Sequence, residues 1–357
     1  MSKKNDNTMK EIAEKYSPYS IGCAMIYLKV AEALKLTIGF CGAHGRAKTA
    51  IFNQFAEQGN YDEVCVVNLS QQAPEDMIGL PVSKDYDGNT TVTAFSNPEW
   101  FQKACDPNRK VILFFDEFTN GEDDVQAAIL KLIDERESNG MKITDDTLIA
   151  MAFNPPSIAP NARSLSKATR DRICVIPIED ADKNPYKDYF KKSKKSILAT
   201  ILEEIPEFVA DYTEEVRECA YENAEFTYRS MEHAYDICQY ITDNKLPESI
   251  MRAMCRGYGG MVMGDTFSNY FKENYVSSAT NDLIKKIAKN ASTGIEVYEG
   301  ITNEVGFDFD NASFDELFHV ANLVEANAKD EVFNEFCNAT FSQEFMVAYY
   351  KELDLIS

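Results

Sequence analysis

A chain of 357 residues, 45% apolar and 11% aromatic, can build two or three domains with buried cores. Its 58 acidic and 36 basic side chains leave a formal net charge of −22, which excludes a general nucleic-acid coat or a polybasic membrane binder, because phosphates and anionic lipids repel such a surface. No apolar stretch of about 18 residues marks a membrane span. The polar start, Met1 to Lys15, lacks the apolar centre of a signal peptide. Nine cysteines without a CxxC pair and three histidines offer no structural zinc site, and they read as reduced thiols of a cytoplasmic protein.

Residues 18–34 have apolar positions at helical spacing. Five apolar runs then recur, Leu36–Cys41, Val64–Leu69, Val111–Phe115, Leu148–Phe153 and Cys174–Ile178, each of strand length and apolar enough for burial on both faces. Helical patterns lie between several of them, as where Val125, Ala128, Ile129, Leu132 and Ile133 share one face. This alternation predicts an α/β unit with a mainly parallel sheet over about residues 18–180. The lysine-rich, proline-containing stretch 183–195 reads as a linker or loop, and Lys191, Lys192, Lys194 and Lys195 as a solvated face. From Ser196 to about Tyr275 the period is helical, with Ile197, Ile201, Ile205 and Phe208 as its apolar positions. Helical patterns continue to residue 357, with a turn-rich stretch at Gly294–Asn311. From Asn290 onward there are 14 acidic and two basic side chains.

Four segments carry chemistry. The run Gly42-Ala43-His44-Gly45-Arg46-Ala47-Lys48-Thr49 follows an apolar strand and precedes a helical pattern. This is the arrangement of a phosphate-binding loop, in which backbone N–H groups and a helix N-terminus cradle phosphate oxygens. Lys48 would reach the β- and γ-phosphates, and the Thr49 hydroxyl would bind Mg²⁺. Ala47 stands where the strict pattern has its second glycine, and fits if its backbone is near-helical. His44 reads as a loop side chain without chemistry. Next, the strand Val111–Phe115 ends in Asp116 and Glu117, the first suited to Mg²⁺ and the second to polarising an attacking water. Asn154 then follows the strand ending at Phe153, at the edge where parallel sheets bind ligands; beside Glu117 it could position the water. Finally, Arg163, Arg170 and Arg172 cluster before the last strand of an arginine-poor, acidic chain, and arginine forks stabilise phosphate charge.

Together these segments resemble the AAA+ ATPases of the MoxR and dynein-related branch, which tolerates Ala-Lys-[Ser/Thr] in its phosphate loop. Further matching stretches are Asp76-Met-Ile-Gly79-Leu-Pro81, Asn97-Pro-Glu-Trp100, Val125 to Arg136, Ala152-Phe-Asn154-Pro155 and Ala168-Thr-Arg170-Asp171-Arg172. The resemblance covers roughly residues 20–275. It implies a P-loop core with a parallel five-stranded sheet at 1–180, a helical lid at 181–275 and an acidic helical extension at 276–357. It also implies ATP and Mg²⁺ as ligands and a homo-oligomeric ring, most often a hexamer. A protein client or adaptor would be the partner, often one with a von Willebrand factor A domain; neither a membrane nor nucleic acid is expected. Asn154 would take the sensor-1 place, Arg172 the arginine-finger place with Arg170 as the competing assignment, and Arg229 the sensor-2 place. Tyr228 and Met231 depart from that segment's usual residues. The rival reading is a module that binds ATP and assembles but scarcely turns it over.

Overall fold

The computed structural model describes residues 3–85, 87–193, 196–274, 278–312 and 314–356. Lys194 and Lys195 lie outside the described residues. Nine strands follow in chain order: β1 Ile38–Gly42, β2 Glu63–Asn68, β3 Pro81–Asp85, β4 Thr91–Phe95, β5 Val111–Asp116, β6 Glu137–Ser138, β7 Met141–Lys142, β8 Leu148–Phe153 and β9 Cys174–Ile178. Five of them form one sheet in the order β2-β5-β8-β1-β9, with every pairing parallel. β1, β8 and β9 are buried along their whole length, as continuous apolar runs between two helical layers must be. The edge strand β2 departs from the expected two-sided burial. Its Val66 is 49% exposed although the strand is apolar, so that face of β2 lacks the cover that β9, at the opposite edge, has.

The core beneath the sheet gathers Phe115, Phe118, Val125, Ile129, Leu132, Met151 and Val175. Trp100 packs edge-on against Phe101 and Phe115, with ring centroids 5.9 Å apart in both pairs. β3 and β4 form a separate antiparallel hairpin. Gly79 closes its base at φ +92°, where a Cβ would lie 1.7 Å from the Ser96 carbonyl oxygen, so no other residue fits.

Two stretches are more helical than expected. Residues Asn184–Lys192 form a helix, not a loop. Pro185 sits in its first turn, where a missing N–H costs nothing. Gly294–Gly300 is helical and continues into the π-helical turn Ile301–Val305, with the Thr293 side chain capping its start.

The chain divides into two compact units, Met1–Ser268 and Asn269–Ser357. The second is all-helical among its described residues, with helices Ser278–Asn290, Gly294–Gly300, Phe314–Glu325, Asp330–Thr340 and Gln343–Ile356. Its core holds Ile284, Val297, Ile301, Val320, Val324, Phe336 and Tyr349. The Tyr349 hydroxyl donates to Glu325 Oε2 at 2.7 Å and lies 3.0 Å from Asn322 Oδ1. Among the described residues no helix is long and apolar enough to cross a membrane.

Candidate nucleotide site

The strand order puts the C-terminal ends of β5, β8 and β1 side by side. The loop after β1, the Asp116–Glu117 pair after β5 and Asn154 after β8 therefore meet at one edge of the sheet, where parallel sheets take ligands. Lys48 begins the helix Lys48–Gly59 and is buried. Its ammonium donates to the carbonyls of Gly42 at 2.7 Å and Ala43 at 2.9 Å, and to Asn154 Oδ1 at 2.9 Å. Three acceptors match its three protons. Burial still pushes its pKa down to about 8, with Asp116 and Glu117 pulling the other way.

The loop turns through two left-handed residues, Gly45 at φ +72° and Ala47 at φ +58°. The near-helical backbone expected of Ala47 is thus not what forms. An alanine carries the left-handed strain, placed to aim the N–H groups of the next helix inward. His44 is exposed. Arg46 is drawn away from the loop: its guanidinium pairs with buried Asp180 and donates to the Ala210 carbonyl at 2.7 Å.

Thr49 Oγ1 donates to Asp116 Oδ2 at 3.1 Å, so a hydroxyl and a carboxylate stand together beside the loop. These are the hard oxygen donors that suit Mg²⁺, which takes few protein ligands and completes its shell with phosphate and water. Among the described residues no group of three or more His, Cys, Asp or Glu side chains could hold a metal unaided. Glu117 adopts φ +54° at the turn after β5, and its carboxylate accepts from Asn120 Nδ2. Sequence reasoning misses Asn120, whose only signal is a polar residue three places after the acid. Asn154, expected to position a water with Glu117, bonds the Lys48 ammonium.

The arginines divide by packing. Arg170 is 1% exposed and donates to the Cys219 carbonyl at 2.5 Å. A guanidinium so enclosed cannot face another molecule, which removes Arg170 from the finger assignment. Arg172 ends the helix Lys167–Arg172 at the surface, with Nε 2.7 Å from Asp134 Oδ2. Arg229 lies beside it, its Nη1 3.0 Å from Asp134 Oδ1 and 3.5 Å from Asp171 Oδ2. Both border a hollow lined by Leu36 and Thr37, the residues just before β1. They stand at the N-terminal ends of the strands, while the loop 42–49 stands at the C-terminal ends. Arg229 is therefore not brought to the phosphate loop of its own chain. Arg163 pairs with Asp123. Arg136 caps its helix and donates to the carbonyls of Thr144 at 2.8 Å and Thr147 at 2.9 Å, a contact within its own chain.

A parallel sheet whose edge gathers a lysine-bearing glycine turn, a hydroxyl–carboxylate pair and a second acid is the core of a P-loop nucleotide-binding protein. Residues 39–173 match the family model of the AAA domain, dynein-related subfamily, and that stretch is a domain of this kind. No curated protein matches the chain. Among solved structures it is similar to a point mutant of RuvB from Thermotoga maritima, at 10% identity and TM-score 0.33, covering 88% of this chain and 85% of that one. It is also similar to a candidate ATPase from Cytophaga hutchinsonii, at 14% identity and TM-score 0.36, covering 91% of this chain and 95% of that one.

Proposed function

We propose that this chain is a Mg²⁺-dependent ATP hydrolase that works as a head-to-tail ring, a hexamer, and couples turnover to remodelling of a bound protein. The observation that carries the reading is the joint placement of Lys48, Thr49, Asp116, Glu117 and Asn154 at one sheet edge, with Arg172 at the opposite end. In that arrangement residues 42–49 and Lys48 hold the phosphates of ATP. Bound Mg²⁺, next to Thr49 and Asp116, supplies charge neutralisation on the phosphate oxygens. Glu117, held by Asn120, orients and deprotonates the attacking water. Asn154 keeps Lys48 in place and shares in ordering the γ-phosphate that Lys48 would hold. Arg172 is partly exposed and stands at the strand end opposite its own loop, so its fork serves the site of the next subunit, with Arg229 beside it.

In this reading residues 1–180 are the catalytic core, 181–275 the lid that moves against it, and 276–357 an extension. Its acidic surface either receives a basic client or keeps the ring soluble. The partner is a separate protein, a client or an adaptor of the von Willebrand factor A type. Nine free cysteines fit a reducing cytoplasm.

The strained Ala47 favours one other reading, an ATP-gated assembly module with little turnover. Phosphate release decides between them. Wild-type protein with Mg²⁺ and ATP should release phosphate at a steady rate, and Glu117→Gln should bind ATP without releasing it. Tight binding with no release from the wild type would establish the module and overturn the hydrolase.

A further inference from the structure

One buried charge in the first unit has no carboxylate counter-ion among the described residues. Arg170 is 1% exposed, and a guanidinium stays protonated at any ordinary pH. One of its nitrogens donates to the Cys219 carbonyl at 2.5 Å, while Nε and Nη1 have no hydrogen-bond partner among the described residues. A buried ion left so is costly unless an anion stands beside it. The groups of opposite sign that act on it most strongly are two thiols, Cys41 and Cys219, ahead of the exposed Glu222. Both thiols lie in the core beneath the sheet, with Val216 and Ala220. Cys41 is the β1 residue just before Gly42, and Cys219 lies on the helix Thr213–Tyr221. Cys41 Sγ stands 3.7 Å from the carbonyl oxygen of Val216, one helical turn before Cys219, and the Cys41 thiol donates to Cys219. That hydrogen bond, helped by the Arg170 charge, holds the Cys219 pKa below its ordinary value against burial, whereas burial pushes the Cys41 thiol well up. Cys219 is 6% exposed and Cys41 is fully enclosed.

We propose that Arg170 holds Cys219 as a thiolate, and that Cys219 and Cys41 are an oxidation site closed to a disulfide by hydrogen peroxide. A thiolate beside a cation is the nucleophilic form of cysteine, and slight access lets a small oxidant reach it. The Cys219 thiolate attacks one peroxide oxygen. The S–O bond forms, the O–O bond breaks, and hydroxide leaves to take a proton from solvent. The Cys41 sulfur then attacks the sulfur of the Cys219 sulfenic acid. The S–S bond forms, the S–O bond breaks, and the Cys41 proton leaves with the hydroxide as water. The two thiols lose two electrons and the peroxide gains them. Excess dithiol reverses the step by exchange. The disulfide fastens the strand that opens the phosphate loop to a helix that follows the sheet. In the hydrolase proposed above that helix lies in the lid, so the bond stops the lid moving against the core. This consequence rests on that reading, and the disulfide itself does not. Proximity alone favours another pair, since Cys238 and Cys255 stand with their Sγ atoms 3.4 Å apart. Both are fully buried, and the hydrogen bond with Cys238 together with burial raises the Cys255 thiol well above its ordinary value, so that pair stays reduced.

Reduced protein treated with a modest excess of hydrogen peroxide, then alkylated and digested without reductant, tests this by mass spectrometry. Two of the nine free thiols should disappear into one peptide pair that joins Cys41 to Cys219, and dithiothreitol should restore both. Cys41→Ser should stop at a sulfenic acid on Cys219, captured by dimedone. Cys219→Ser should leave Cys41 reduced, and should lack the ultraviolet thiolate band that the wild type shows at neutral pH. Circular dichroism establishes that each variant is folded. A link at Cys238–Cys255 in place of Cys41–Cys219, thiol loss spread over the other cysteines, or a Cys41–Cys219 pair that stays reduced would overturn the proposal. A thiolate band of equal strength in wild type and Cys219→Ser would overturn the part given to Arg170. Linked protein should still bind a fluorescent ATP analogue and should release phosphate more slowly than reduced protein by roughly tenfold or more. Linked protein that turns over as fast as reduced protein would overturn the locking of the lid. The cross-link is read without ATP, so reduced protein that releases no phosphate would sink the hydrolase reading and leave this site standing.

Discussion

Lys48 and Asn154 are joined by a 2.9 Å hydrogen bond between a buried ammonium and a buried amide oxygen. The bond links the loop after β1 to the end of β8, the neighbouring strand. It gives Asn154 a structural duty, to hold the Lys48 ammonium. Replacing Asn154 by alanine removes one of three acceptors from a buried charge, a loss of about 1–3 kcal/mol. Urea unfolding of Asn154→Ala should show a loss of that size and weaker binding of ATP analogues. Unchanged stability would mean that Lys48 needs no third acceptor.

The depressed Lys48 pKa predicts two pH effects of opposite sign. Burial lowers it from 10.5 to about 8. Between those values the unfolded chain keeps a proton that the folded chain has released, so this group adds stability as pH rises through that window. Nucleotide affinity moves the other way, since a neutral amine offers phosphate no charge. Affinity for an ATP analogue should fall as pH rises above about 8, the fall continuing until the higher pKa of the complex is passed. Lys48→Arg, which stays charged, should show a flat profile if it binds. Stability of wild type relative to Lys48→Met should increase over the same window. A wild-type affinity that is level to about pH 9.5 would show that Lys48 keeps its ordinary pKa.

Ala47 carries left-handed strain that glycine would relieve. A left-handed alanine costs roughly 1–2 kcal/mol, and glycine gives back roughly half through the freedom of the unfolded chain. Ala47→Gly should therefore raise the unfolding free energy by about 0.5–1 kcal/mol. A urea midpoint that falls would show that Ala47 is not held at φ +58° in solution.

The two arginines of the Ala168–Arg172 stretch should fail in different ways. Arg170 is among the largest fully buried side chains. Truncating it to alanine leaves a cavity and an unpaired Cys219 carbonyl, with a loss of about 3 kcal/mol or more. Arg172 sits in a surface ion pair with Asp134, and such pairs contribute less than about 1 kcal/mol. Arg172→Ala should leave unfolding nearly unchanged and lower turnover by roughly 10³–10⁵, the span seen when an arginine finger is removed. Equal stability losses in the two variants would contradict the division by packing.

The edge that carries the candidate site was legible in the sequence because its signals are local. Each buried strand is an apolar run, and each chemical residue follows one of them, so the motif order already places Lys48, Asp116 and Asn154 near one another. What was not legible depends on neighbours distant in sequence. Val66 is exposed because its face of β2 goes uncovered, whereas β9, at the other edge, is buried. Arg170 and Arg172 differ only in which one the helix Thr213–Tyr221 covers. Ala47 is left-handed because the loop must close, against its own preference. The segment 183–192 carries a proline that reads as a breaker yet opens a helix. Of the stripe Ile197, Ile201 and Ile205, Ile197 is 71% exposed and Ile205 40% while Ile201 is half-buried, a distinction that periodicity cannot draw.

The central claim is that each site takes Glu117 from one chain and Arg172 from the next. Mixing folded Glu117→Gln with folded Arg172→Ala protein, each inactive alone, tests it most directly. A mixed ring contains some interfaces with both residues intact, so steady phosphate release should reappear and peak near equal proportions. If both variants assemble together and no activity returns at any ratio, Arg172 does not serve the neighbouring site, and the account is contradicted.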